Sequence, residues 1–72
     1  NMNDYINIGH LKLCGGNKKE AVDCYRKSID SGNISKERFY EIIEEDKDML
    51  ISLGIDADEL SLIVDYLFYT IE

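Results

Sequence analysis

The chain has 72 residues, 44% of them hydrophobic, with five glycines, two cysteines, no proline and no tryptophan. Its net charge of −7 is uneven: residues 1–34 carry four acids and five bases (+1), residues 35–72 eleven acids and three bases (−8). Room for a single small domain argues against a deep enzyme cleft, and the acidic half argues against nucleic acid or an anionic membrane as partner.

The chain order predicts four helical segments and no strand. The first runs from about Asn3 to Cys14. Gly15-Gly16-Asn17 forms a turn, since glycine takes the left-handed backbone that ends a helix. Asn17 is placed to cap the second helix, with Glu20 three residues on completing a capping box. That helix carries Ala21, Val22, Tyr25, Ser28 and Ile29 on one face, at spacings of three and four. Gly32 stops it.

Ser35 is placed to cap the third segment, whose apolar stripe is Phe39, Ile42, Ile43, Met49, Leu50 and Leu53. Asp46 falls where a stripe residue is expected. One long helix and two short ones broken near Glu45–Lys47 both fit this pattern. Gly54 ends the segment, and Ile55 behind it supplies the hydrophobic contact that accompanies such a stop. Asp56 caps the fourth helix, again with a glutamate, Glu59, three residues on. Its main stripe is Leu60, Ile63, Val64, Leu67, Phe68 and Ile71. A second stripe of Leu62, Tyr66 and Tyr69 predicts burial on two sides, the second by self-association.

The expected core joins Tyr5, Ile8, Ala21, Tyr25, Ile29, Phe39, Ile42, Ile43, Leu50, Ile63, Val64 and Leu67. Gly9 and Ala21 are small residues at helical positions, which lets two helices approach closely while Tyr5, Ile8 and Tyr25 fill the space beside them.

Motifs for chemistry are sparse. His10 and Cys14, four apart, have a spacing that can hold a metal, yet a closed site needs four ligands and no further pair stands at fixed spacing. Glu44, Glu45, Asp46 and Asp48 could suggest general acid/base work or cation binding, but neighbouring carboxylates on a helix point in different directions and read as a solvated face; the acidic half as a whole reads as a solvated face or as an attractor for a basic partner. Asp56-Ala57-Asp58-Glu59 opens like a calcium loop, but Ser61 and Leu67 stand where its glycine and glutamate belong. Cys14 and Cys24 fit no disulfide framework and read as small apolar residues of a reducing compartment, which points to the cytoplasm. The start, Asn-Met-Asn-Asp-Tyr, lacks the basic and apolar regions of a secretion signal, and no apolar run approaches the ~20 residues of a membrane span. No cofactor and no catalysis are expected.

Residues 2–35 resemble one full tetratricopeptide repeat (TPR), a helix-turn-helix unit of about 34 residues. Tyr5 stands at its bulky aromatic position. Asn7, Ile8 and Gly9 stand where the family favours a polar, an aliphatic and a small residue. Gly16 matches the turn glycine, and Glu20, Ala21, Val22, Asp23, Tyr25, Lys27, Ser28 and Ile29 follow the second helix. Lys12 departs from a usual aromatic and Asn33 from a usual proline. Residues 36–72 look like C-terminal capping helices.

The resemblance implies an all-α fold: a tetratricopeptide-like antiparallel hairpin followed by a second, capping hairpin, an α-solenoid fragment. It implies a protein–protein interaction or scaffold module, the C-terminal part of a longer helical repeat protein, because stable arrays need about three repeats. Carried over by position, the partner-binding face is Asn3, Ile6, Asn7, His10, Leu13 and Cys14. Alternatives are a homo-oligomerising cap, with Leu62, Tyr66 and Tyr69 as the oligomer surface, and a regulatory appendage of an enzyme located upstream.

Overall fold

A computed structural model describes the backbone of residues 2–31 and 34–71 and the side chains of residues 5–31 and 34–71. The fold is all-α. Among the described residues there are four helices and no strand: α1 (Met2–Cys14), α2 (Lys18–Asp30), α3 (Lys36–Ser52) and α4 (Ala57–Thr70).

Local chemistry sets most of the helix ends. Gly16 takes φ 82°, its N–H bonds the Leu13 carbonyl at 3.1 Å, and the Asn17 N–H reaches back to Lys12 at 2.8 Å. Gly54 repeats the device at φ 103°, with Ile55 donating to the Leu50 carbonyl at 3.1 Å. Both are left-handed stops that satisfy carbonyls the helix leaves open. Ser35 Oγ accepts the Arg38 N–H at 3.0 Å, and Asp56 Oδ1 accepts those of Asp58 and Glu59 at 2.8 and 3.1 Å.

Neither expected capping box closes. Asn17 occupies the cap position of α2 without a side-chain bond, and Glu20 turns instead to Lys12 at 3.8 Å. Glu59 likewise pairs with Lys18 Nζ at 3.1 Å. Helix α3 runs unbroken through Glu45–Lys47, so Asp46 intrudes without a kink. The expected stop at Gly32 and the Asn33 position lie outside the described residues.

The helices form two antiparallel hairpins laid side by side. Lys12 meets Glu20 across the first, and Lys36 at the start of α3 donates to the carbonyls of Phe68 and Ile71 at the end of α4, both at 3.3 Å. Helix α2 runs alongside α4, with Lys18 on Glu59 near one end and Arg26 on Thr70 at the other. Helix α1 lies beside α3.

In the first hairpin the small residue acts as expected. A Cβ on Gly9 would sit 2.4 Å from Cε1 of Tyr25, whose ring is wholly buried, as is Ala21. Tyr25 also touches Phe39 of α3, with centroids 5.5 Å apart. Leu50, Leu60 and Leu67 complete the deepest layer.

The expected core needs one correction. Tyr5 and Ile8 are 39% and 41% exposed, while Ile6 and Leu13 are 2% and 4% exposed. Helix α1 is turned by about one residue step, roughly 100°: Gly9 meets the Tyr25 ring of α2, and His10 reaches Tyr25 and, on α3, Asp46. Ile42 is only partly buried and packs against the core's edge.

Candidate functional site

The partner face expected from the sequence is split by this rotation. Ile6 and Leu13 are core residues and reach no partner. Asn7 and Cys14 are exposed, and His10 is 7% exposed at the floor between α1 and α3. The side chain of Asn3 lies outside the described residues.

His10 is the polar centre of the molecule. Its Nδ1 lies 2.7 Å from the Tyr25 hydroxyl and its Nε2 lies 2.9 Å from Asp46 Oδ2. One side chain thereby joins α1, α2 and α3. Burial pushes the Tyr25 phenol well above its ordinary range, and Cys14, Asp46 and Cys24 push the same way. Tyr25 therefore keeps its proton, and the two ring nitrogens of His10 each make one hydrogen bond, one with the Tyr25 hydroxyl and one with the Asp46 carboxyl group. Every polar atom of the line is satisfied: among the described residues no buried side-chain polar atom lacks a partner. The Tyr25 hydroxyl faces no solvent. The line ties helices together.

Above His10 lies an open cleft lined by Asn7, Leu11 and Cys14 of α1 and by Met49 and Leu50 of α3, with Leu53 just beyond that helix. Leu11, Leu53 and Met49 are 73%, 60% and 46% exposed. An apolar strip with a polar floor holds side chains of a partner better than it holds water. Three of the six expected partner-face residues (Asn7, His10 and Cys14) are brought together here. The apolar half of the cleft was not expected as a site. Its signal was present: the stripe of the third helix continues one turn past Leu50, and Leu11 belongs to neither packing face of α1.

His10 and Cys14 share this cleft without further ligands. Among the described residues no three His, Cys, Asp or Glu side chains are grouped to hold a metal ion. Cys14 and Cys24 are both free thiols. Leu62, Tyr66 and Tyr69 are 71%, 53% and 83% exposed, so within this chain α4 is covered on one side only. The Arg26 guanidinium lies 5.6 Å from the centre of the Tyr66 ring. Among the described residues no helix is long and apolar enough to cross a membrane.

Set against protein-family models, curated proteins and solved structures, the chain matches none of them. Its class is defined by the fold alone: an all-α chain of two hairpins tied by a Tyr–His–Asp line that runs from the buried Tyr25 to the half-buried Asp46.

Proposed function

We propose that this chain is a protein–protein interaction module, a scaffold unit of the tetratricopeptide kind, whose α1–α3 cleft holds a peptide or protein partner. The observation that carries the reading is the cleft itself, where Leu11, Met49 and Leu53 stand in solvent around His10. An unbranched methionine adapts such a surface to different side chains. The stacking of α1 beside α3 and α2 beside α4 supports a repeat-like unit. The charge of −8 on residues 35–72 supports a partner with basic residues and opposes nucleic acid and anionic membranes. The reading needs no catalytic group or cofactor, and the two free thiols suit a reducing, cytoplasmic setting.

The test is selection of peptides from a displayed library against the chain, followed by mapping of their amide shifts. Selected peptides are expected to carry apolar anchors, to move the signals of Leu11, Met49 and Leu53, and to lose at least about tenfold in affinity against Leu53→Asp. Peptides that bind Leu53→Asp undiminished sink the proposal.

The exposed Leu62, Tyr66 and Tyr69 stripe favours a second reading, self-association through α4. Light scattering decides it: a mass that stays monomeric across the micromolar range removes it.

A further inference from the structure

The groove between α3 and α4 has a different chemistry from the cleft above. It is lined by Tyr40 of α3 and by Asp65, Phe68 and Tyr69 of α4. The three rings do not stack. Tyr40 and Phe68 meet at 72° with centroids 5.9 Å apart, and Phe68 and Tyr69 at 78° and 5.6 Å. Steep angles of this kind make corners, with ring faces turned in different directions.

Asp65 lies one helical turn before Phe68 and Tyr69, so its carboxylate shares their side of α4. It has no ion-pair partner among the described residues. An adjoining depression shares Tyr40 and Asp65 and adds Glu44 and Lys47. Among the described residues, Asp65 is the one carboxylate that lines the ring corner itself.

One of these rings, Phe68, already carries a cation. Lys36 Nζ stands 4.9 Å from the centre of Phe68 while it donates to two carbonyls at the end of α4. That position suits a primary ammonium, which is strongly hydrated and needs acceptors for its hydrogens. The open corner is built otherwise, from ring faces and one carboxylate. A methylated ammonium keeps its charge, gives up donors and surrenders little hydration, so ring faces hold it well.

We propose that the α3–α4 groove, walled by Tyr40, Phe68 and Tyr69 beside the Asp65 carboxylate, binds a methylated ammonium group. The group can come from a free small molecule or from a methylated lysine side chain, and the test separates the two. This site is independent of the α1–α3 cleft.

Choline is titrated into the full chain while the ring-proton resonances of Tyr40, Phe68 and Tyr69 are followed. Dimethylbutanol, its uncharged carbon isostere, is the control for shape alone. The expected result is saturable shifts at those rings, with the isostere at least about fivefold weaker. Asp65→Asn and Tyr69→Leu, both at exposed positions, each lower choline affinity by roughly fivefold and leave the helical circular dichroism unchanged. A peptide with one trimethyllysine is run beside its unmodified twin. A trimethylated peptide that binds more tightly than choline assigns the group to a protein side chain. A trimethylated peptide no tighter than choline assigns it to a free small molecule. Equal binding of choline and its isostere, or an unchanged affinity in Asp65→Asn, overturns the proposal.

Discussion

The two hairpins are joined by similar glycine stops but packed differently. In the first, a missing side chain at Gly9 lets the Tyr25 ring lie against the backbone of α1, and nothing remains between the helices. In the second, Tyr40 and Phe68 hold α3 and α4 apart at one end and a groove stays open beside them. Small residues at a crossing close a hairpin; aromatic residues at a crossing prop it open. The closed hairpin supplies Tyr25 and His10 of the polar line, and the open one supplies Asp46 and the rings of the groove.

The largest expected effect comes from filling the closed crossing. Gly9→Leu should destabilise the chain by about 3 kcal/mol, at the high end for overpacking, because the ring it meets is wholly buried. Urea denaturation reads this directly, and an unchanged midpoint would mean that the helices are not in contact at Gly9. Next is His10→Ala, which leaves a void and strands the Tyr25 hydroxyl without an acceptor. A loss of about 2–3 kcal/mol is expected in the same assay.

Tyr25→Phe should cost about 1 kcal/mol at neutral pH, since only one hydrogen bond goes. It should also flatten the alkaline limb of the stability curve. Tyrosine in the unfolded chain ionises near its ordinary 10.0, while folded Tyr25 holds its proton to higher pH. The unfolded state then binds fewer protons, so stability is complete below pH 10 and falls as pH rises beyond it. A wild-type curve no steeper than that of Tyr25→Phe would contradict this. The smallest effects contrast the caps. Asp56→Ala should cost about 1 kcal/mol and Asn17→Ala close to nothing, because Asp56 accepts two backbone bonds and Asn17 none. Thermal melts of the pair test it, and equal losses would show that position alone, without the side-chain bond, sets the value of a cap.

The helix ends were legible in the sequence because their chemistry is local: Gly16, Gly54, Ser35 and Asp56 act on neighbours a few residues away. The rotation of α1 was not. Tyr5, Ile6, Ile8, Leu11 and Leu13 spread apolar surface around most of that helix, so pattern alone does not say which side faces inward. The choice is made by residues further along the chain: Tyr25 of α2 lies against Gly9, and Asp46 of α3 meets His10. One clue was written in both helices: His10 interrupts the stripe of Ile6 and Leu13, and Asp46 interrupts the stripe of α3. Each intrusion is the other's partner. The cleft above them is half legible: position along the repeat puts Asn7, His10 and Cys14 on a partner face, while Met49 and Leu53 read only as members of the apolar stripe of the third helix.

Because His10 binds groups from both hairpins, neither half keeps its interior dry alone. Pulling α3 away takes Phe39 off the Tyr25 ring and breaks the polar line at Asp46 in the same motion. Melting is therefore a single concerted event for the whole chain, and amide exchange in the middle of α1 and in the middle of α3 proceeds through one shared opening.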